Sequence, residues 1–234
     1  MISIVIPTLN EEKTVADVIY GCKPYADEIL VVDGGSKDRT FNLAQACDVK
    51  CIIDDGKGKG AALRQAAKSA NGDIIIFIDA DGSHDPRDIP ALIKPIQNGT
   101  ADHVTASRLL GGSSELHGGF DEFFRLTGSS FITACINWRY NVRISDSQNG
   151  FRAIKKSVFL ALNLQSNSTT IEQEMIFKTL AHGYRIAEIP SHEHCRKGGV
   201  SKVNPARLWH KYLFSLIAGM IGSPRINSNE RSCE

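Results

Sequence analysis

Residues 73–78 have the sequence DIIIFI, an apolar run with no polar residue after the first. A strand with apolar side chains on both faces is typical of the centre of a parallel sheet, because both faces are then buried. Similar short runs lie at residues 3–6, 28–32 and 49–53, and helical patterns separate them. This alternation predicts an α/β fold, with a mostly parallel sheet and right-handed crossovers.

Apolar spacing predicts the other elements as well. The helices are expected near residues 14–19 and at 38–47, 60–70, 89–96, 172–182 and 205–222, and further strands at 103–106 and 184–189. A Gly- and Ser-rich stretch followed by apolar residues at helical spacing predicts that residues 110–145 are inserted helices. We therefore expect one domain over residues 1–203, then an amphipathic helix at 204–224 and a disordered tail at 225–234.

The composition excludes several classes of protein. The chain has 234 residues, 42% of them apolar and 23% charged, as in an ordinary folded domain. Its net charge of +1 gives no basic field, so we expect no nucleic-acid partner. The cysteines fit neither a disulfide framework nor a standard metal pattern. We find no signal peptide and no apolar run of the roughly 20 residues that cross a bilayer, so we expect a cytoplasmic protein.

Asp79, Ala80 and Asp81 directly follow the apolar run at residues 73–78. Ligands of open α/β sheets bind beyond the carboxyl ends of the strands. Two carboxylates in this spacing can share one Mg²⁺ or Mn²⁺, which completes its shell with water and substrate phosphates. A solvated acidic turn has the same pattern, so this motif alone leaves both interpretations open.

Two more loops leave the same edge of the predicted sheet. The first strand ends in PTLNEE and the second in DGGSKD, where Asp33 is a candidate acceptor for a base or ribose and Asp38 a candidate helix cap. Ordinary turns are the alternative. Residues 56–60, GKGKG, precede a helix but lack the order of an ATP-binding P-loop. We expect a flexible basic loop near a nucleotide.

In this order the motifs resemble the inverting family-2 glycosyltransferases with the GT-A fold, especially the polyprenyl-phosphate (dolichol-phosphate) mannosyl- and glucosyltransferases. The resemblance covers roughly residues 2–203, and Gly34 replaces the second Asp of one family motif. The matching residues are Pro7, Thr8, Asn10 and Glu11, residues 31–40, residues 58–62, Asp79 and Asp81, Ser107 and Arg108, Asp146, Gly150, Phe151 and Arg152, Glu174, and Arg196, Gly199, Ser201 and Lys202.

The resemblance implies transfer of a hexose from a nucleotide-sugar, GDP-mannose or UDP-glucose, with inversion at the anomeric carbon. It implies a Mg²⁺ or Mn²⁺ site at Asp79 and Asp81, with Ser83 at a position where the lipid-phosphate enzymes often have Gln. Lys197 and Lys202 are expected to reach the diphosphate as a closing lid. The implied donor contacts are Pro7, Thr8, Asn10, Glu11, Asp33, Lys59, Gly60, Asp79, Ala80, Asp81, Arg196 and Lys202.

The resemblance also implies a lipid-phosphate acceptor. Such a phosphate is already anionic at pH 7 and needs cations rather than a general base. Arg108 and Arg125, with Ser129, match the positions that the family uses for this phosphate; a surface position is the alternative for Arg125. Of the two glutamates on the late helix we expect Glu174 to face inward as a base or orienting contact. We expect Glu172 to be a first-turn residue favoured by the helix dipole. With Asp81, these arginines and Glu174 are the predicted catalytic residues.

Other assignments compete with these. His192, His194 and Cys195 provide three possible zinc ligands, but no second cluster has the right spacing. The last helix can lie on a membrane surface, pack on the domain or meet a partner chain, including a second copy. A lipid acceptor favours peripheral contact at the cytoplasmic membrane face.

Three other functions remain open at this stage. They are a same-fold transferase with a soluble or glycan acceptor, a nucleotidyltransferase, and a non-catalytic nucleotide-binding module. A nucleotidyltransferase would normally have a Gly-rich basic loop after the first strand, where this chain has PTLNEE.

Overall fold

A mixed sheet of seven strands lies at the centre of the described part of the protein. The computed structural model describes residues 1–114, 120–197 and 205–222, without the side chains of 120–125, 205–208 and 222. The strands are β1 (Ile2–Thr8), β2 (Glu28–Asp33), β3 (Lys50–Ile53), β4 (Ile74–Phe77), β5 (His103–Ser107), β6 (Arg152–Lys155) and β7 (Ile186–Pro190). Their order in the sheet is β3-β2-β1-β4-β6-β5-β7.

Helices cover both faces of this sheet. Within the described ranges they are α1 (Val15–Cys22), α2 (Thr40–Ala46), α3 (Lys59–Ser69), α4 (Ile89–Gln97), α5 (Arg108–Gly111), α6 (Phe120–Tyr140), α7 (Lys156–Ala161), α8 (Ile171–Ala181) and α9 (Pro205–Gly222). One core lies between the sheet and α1, α2 and α4. A second lies between the sheet and α3, α7 and α8. Burial on both faces explains why the central strands are continuously apolar.

The predicted α/β fold is confirmed, with one strand that the sequence did not indicate. β6 is antiparallel to both of its neighbours, β4 and β5, whereas the remaining strand pairs are parallel. Its first residue, Arg152, is buried and donates to the carbonyl oxygens of Asn149 and Glu172. A buried charged residue interrupts the apolar pattern, so this four-residue strand has no strand signal of its own.

A third apolar cluster joins α6, α8 and α9. It contains Ile132 and Ile136 of α6, Phe177 of α8 and Leu216 of α9. A Cβ at Gly219 would lie 2.5 Å from the Phe177 ring, so glycine permits this close helix contact. The last helix therefore packs on the domain, one of the three placements left open by its sequence. None of the helices in the described ranges is long and apolar enough to span a bilayer.

Candidate active site

The carboxyl ends of β1 and β2 meet through Thr8 and Asp33. Thr8 Oγ1 donates to Asp33 Oδ2 over 3.3 Å, and Asp33 Oδ1 accepts from the backbone N–H groups of Gly35 and Ser36 over 2.8 and 2.6 Å. Asp33 is buried, so its carboxylate shapes the loop after β2. A carboxylate has about four acceptor positions, and a further donor can still bind.

The loop after β1 is bonded to the loop after β2. Asn10 has a φ of 59°, in the left-handed region, and its side chain accepts from the backbone N–H of Lys37 over 2.8 Å. The backbone N–H of Glu11 donates to Thr40 Oγ1 over 2.8 Å. Asp38 accepts from the backbone N–H of Thr40, the first residue of α2. Pro7 to Glu11 and the second loop therefore form one connected edge of the site.

Lys59 bridges two carboxylates at the end of β4. Its Nζ lies 2.7 Å from Asp79 Oδ1 and 2.8 Å from Glu172 Oε1. Burial alone would lower the pKa of Lys59, but the charges of Asp79 and Glu172 outweigh it and raise the pKa. Lys59 is the first residue of α3 and is not part of a free loop. Gly60 follows it and packs against the backbone of residues 166 and 167.

Asp81 lies at the base of the neighbouring turn. Its Oδ1 accepts from the backbone N–H and the hydroxyl of Ser83 over 3.0 and 2.7 Å. Its Oδ2 lies 3.4 Å from Arg196 Nε, and the backbone N–H of Lys197 donates to its carbonyl oxygen over 3.2 Å. The loop after β7 thus already covers Asp81. Ser83 orients Asp81 and keeps a hydroxyl oxygen at the site.

Arg108 is held by two buried carboxylates at the start of α5. Its Nε and one terminal nitrogen lie 2.6 and 3.0 Å from the two oxygens of Asp146, and its other terminal nitrogen lies 3.5 Å from Glu193 Oε1. Burial disfavours the charge, but Asp146 and Glu193 overcome this and raise the pKa of Arg108. In return, Arg108 lowers the pKa of Asp146 against the effect of burial. Arg108 is therefore a fixed cation of the site wall.

One cavity of about 350 Å³ is lined by the groups around Lys59, Asp81 and Arg108. Its floor is polar, and its mouth is lined by apolar side chains of α6 and α9, among them Leu126, Phe131, Trp209 and Leu213. Three buried polar atoms of the residues that line it, Glu172 Oε2, Asn149 Nδ2 and His84 Nδ1, have no hydrogen-bond partner in the protein. Buried polar atoms of this kind usually have a partner, so a ligand with hydroxyl groups fits here. Ser129, a predicted acceptor contact, lines the same cavity.

The charged groups at the cavity fit a divalent cation. The five carboxylates are Asp79, Asp81, Asp146, Glu172 and Glu193, and the three cations are Lys59, Arg108 and Arg196, which leaves two negative charges. In the described ranges no cluster of three His, Cys, Asp or Glu side chains could hold a metal ion. Any ion at Asp79 and Asp81 must therefore complete its shell with water and substrate phosphates, as Mg²⁺ commonly does.

The structure corrects the expected orientation of the two glutamates of α8. Glu172 is buried and lines the cavity. Glu174 lies 2.8 Å from Lys178 Nζ and accepts from the backbone N–H groups of Gln165 and Ser166, away from the cavity. The prediction that Glu174 is the inward-facing residue was therefore wrong. The physical reason is that residues two apart on a helix point in different directions, and Glu174 has a Lys partner one turn later.

The zinc alternative is not supported by the contacts of its three side chains. His192 and His194 have ring centroids 4.8 Å apart. Nε2 of His192 is hydrogen-bonded to Ser114 Oγ over 2.7 Å, and Cys195 Sγ donates to the carbonyl oxygen of Ser114 over 3.4 Å. These residues connect the loop after β7 to the segment after α5.

Two predicted residues cannot be placed. Lys202 lies outside the described residues, and Arg125 lies on the described backbone of α6 but its side chain is outside the description. Their roles stay predictions. The site also contains residues that the sequence argument did not select, among them His84, Asn149 and Glu193. Glu193 lies between His192 and His194 in the sequence. The sequence argument considered these histidines as zinc ligands and did not consider Glu193.

Acidic residues at the carboxyl ends of parallel strands, with a cavity beside them, are where open α/β sheets bind their ligands. A model of the family described as Glycosyl transferase family 2 matches residues 3–161. The chain belongs to this family. The predicted family and the predicted GT-A fold are confirmed.

Three relatives have names that describe them as glycosyltransferases. The chain is 30% identical over 221 residues to the low-salt glycan biosynthesis hexosyltransferase Agl6 of Haloferax volcanii, covering 92% of this chain and 53% of that protein. It is 29% identical to the glycosyltransferase AglJ of the same organism, covering 85% of this chain and 64% of AglJ. It is 29% identical to the UDP-N-acetylglucosamine–dolichyl-phosphate N-acetylglucosaminyltransferase of Methanococcus voltae. This match covers 81% of this chain and 84% of that protein. The chain thus spans about half the length of the first relative and under two thirds of the second.

A solved structure has the same fold. Glucosyl-3-phosphoglycerate synthase of Mycobacterium tuberculosis, in complex with Mn²⁺, UDP and phosphoglyceric acid, has a TM-score of 0.74 and 23% identity. The likeness covers 95% of this chain and 78% of that chain. At this identity the comparison establishes the fold.

Proposed function

We propose that this protein transfers a hexose from a nucleotide-sugar, GDP-mannose or UDP-glucose, to a polyprenyl or dolichyl phosphate with inversion at the anomeric carbon. The observation that carries the proposal is the cavity, whose polar floor contains Asp79 and Asp81 and whose mouth is apolar. A phosphate with a long apolar chain matches both ends of such a cavity. The relative from Methanococcus voltae has a dolichyl-phosphate acceptor in its name, which supports this acceptor class.

The donor is assigned to the edge formed by β1, β2 and β4. Asp33 and residues 7–11 would contact the base and ribose there. Asp79 and Asp81, with Ser83, would hold Mg²⁺ or Mn²⁺ beside the diphosphate. A divalent ion at this place would neutralise the nucleoside diphosphate as it leaves. The two negative charges that the whole cavity carries in excess support this assignment.

The hexose is assigned to the floor of the cavity. Glu172 Oε2 would accept from one sugar hydroxyl and Asn149 Nδ2 would donate to another, which satisfies both buried atoms. Lys59 fixes the Glu172 carboxylate through its other oxygen. Because a phosphate acceptor is already anionic, no residue has to remove its proton.

The acceptor phosphate is assigned to the side of the cavity near Arg108 and Ser129. The charge of Arg108 is already matched by Asp146 and Glu193, so a further cation is required. Arg125 lies one turn before Ser129 on α6 and is the candidate that the sequence provides. Arginine suits this role because its donors form a fixed fork. Arg196, Lys197 and Lys202 would close over the diphosphate.

A lipid acceptor implies that the protein works at a membrane surface, and we assign it to the cytoplasmic face as a peripheral protein. The alternative is a soluble phosphorylated or glycan acceptor. It is supported by the fold neighbour, which was crystallised with phosphoglyceric acid.

A transfer assay tests the proposal. Purified protein with Mn²⁺ is given labelled GDP-mannose or UDP-glucose, and either a short-chain polyprenyl phosphate, 3-phosphoglycerate or a free hexose. We expect label in the polyprenyl product with one donor, and an Arg125→Ala variant that loses this transfer while its donor affinity is unchanged. Transfer to 3-phosphoglycerate or hexose alone would reject the lipid acceptor. Pyrophosphate release from a nucleoside triphosphate would reject hexose transfer itself.

A further inference from the structure

The mouth of the cavity is framed by large apolar side chains that are open to solvent. Phe131 on α6 is 60% exposed, and Trp209 and Leu213 on α9 are 61% and 41% exposed. All three also line the cavity. The apolar lining therefore continues from inside the cavity to the outer surface.

The apolar surface extends beyond the mouth along both helices. Trp138 lies about two turns after Phe131 and is 78% exposed, and Phe214 and Ile221 are 74% and 80% exposed. The Nε of Arg139 donates to the carbonyl oxygen of Met220 over 3.4 Å, so the two helices end side by side. At about 1.5 Å per residue, the surface on α9 from Trp209 to Ile221 is about 18 Å long. Exposed apolar patches of this extent usually mark a contact site.

The charged side chains that the structure describes on α6, directly after α6 and on α9 have one sign. Residues 126–145 and 205–222 contain neither Asp nor Glu. They contain Arg139, Arg143, Arg207 and Lys211, and the side chains of Arg143 and Lys211 are exposed. Apolar side chains next to basic ones favour the interface of a bilayer with anionic lipids, where each basic residue contributes attraction.

We propose that this surface, formed by α6 and α9, docks the protein on an anionic bilayer with the cavity mouth against the lipid. The inference rests on the proposed lipid-phosphate acceptor and names the surface that meets the membrane. A polyprenyl phosphate would then enter the cavity phosphate first, and its chain would not have to leave the bilayer for water. The surface could instead bind a second copy of this chain, and the experiment below distinguishes this from binding to a bilayer.

Vesicle flotation tests this surface. The full chain is mixed with vesicles of phosphatidylcholine or of phosphatidylcholine and phosphatidylglycerol in equal parts, without nucleotide or acceptor. We expect binding to the anionic vesicles, and binding that is weaker by at least about tenfold for the double variant Trp138→Ser, Phe214→Ser. Neither residue lines the cavity. A second double variant, Arg143→Glu, Lys211→Glu, should lose binding to anionic vesicles in the same assay.

Tyr20→Ser is the matched control, because Tyr20 is 56% exposed on α1 and should leave vesicle binding unchanged. Three results would overturn the proposal: no binding of the wild type to either vesicle, serine variants that float like the wild type, or a wild-type dimer that the serine variants convert to monomers. The proposed function has a separate readout, since the serine variants should retain metal-dependent donor binding. Vesicle binding without transfer to any phosphate would reject the function but keep the surface.

Discussion

Single side chains decide which groups reach the cavity, and α8 shows how. Glu172 and Glu174 have the same chemistry, but Glu172 shares Lys59 with Asp79 and Glu174 pairs with Lys178. The spacing of Glu174 and Lys178 was visible in the sequence and is typical of a pair on the outer face of a helix. The Glu174–Lys178 spacing therefore indicates that Glu174 faces outward, which leaves Glu172 as the glutamate that faces the cavity. By contrast, nothing in the sequence indicates that Glu172 meets a lysine from α3.

Glu172→Gln should therefore lower activity far more than Glu174→Gln. Removing the Glu172 charge leaves Lys59 with one carboxylate and changes the acceptor that faces the cavity, so we expect a fall in kcat of at least about tenfold. Glu174→Gln should stay within about twofold of the wild type. Steady-state transfer kinetics of the two variants provide the measurement. Equal losses would show that the position of Glu172 in the cavity does not matter for the reaction.

Gly150 packs closely against Asp79 and Lys59 at the candidate site. A Cβ there would lie 2.8 Å from Asp79 Oδ2 and 3.2 Å from Lys59 Nζ. Gly150→Ala should displace Asp79 and weaken metal-dependent nucleotide-sugar binding by about tenfold or more, measured by titration with Mn²⁺ present. Gly128→Ala is the control, because its Cβ meets nothing within 4 Å. If both variants bind the donor like the wild type, Asp79 is not part of the donor site.

At the scale of elements, the strands were predictable wherever burial on both faces made them continuously apolar. β6 was not, because its pairing with β4 and β5 depends on residues far apart in the chain and its first side chain is a buried arginine. The amino ends of β5 and β7 are connected by Asp102, which accepts from Nε and one terminal nitrogen of Arg185, both over 3.1 Å, and from Lys155 Nζ over 2.7 Å. This cluster lies at the opposite end of β5 from Arg108.

Asp102→Asn should lower stability in a pH-dependent way. Burial alone would raise the pKa of Asp102, but the bonds from Arg185 and Lys155 lower it. An acid with a depressed folded-state pKa stabilises the protein above its unfolded pKa of about 4, and this contribution is lost as the pH falls below that value. We expect the variant to be about 1–2 kcal/mol less stable at neutral pH. Urea unfolding in buffers from neutral to acidic pH should show the difference narrowing below about pH 4; a constant difference would contradict this origin.

At the scale of the whole molecule, the cavity combines a negative floor with an apolar mouth. The sequence predicted the loops after β1, β2 and β4, since each follows a recognisable apolar strand. It did not predict the carboxylate network around Arg108, because Glu193 and Asp146 reach it from distant segments. For the apolar mouth, the sequence predicted the helices that became α6 and α9 but not that they lie next to each other at the cavity.

The most direct test of the account is a calorimetric titration of UDP-glucose and GDP-mannose into the wild type and an Asp81→Asn variant, with Mn²⁺ or with a chelator. The arrangement of Asp79 and Asp81 predicts that one of these donors binds only with the metal. The variant, checked for a wild-type circular dichroism spectrum, should bind that donor at least about tenfold more weakly. Binding that is the same with the chelator, or the same in the variant, would contradict a metal-assisted nucleotide-sugar site at this edge of the sheet.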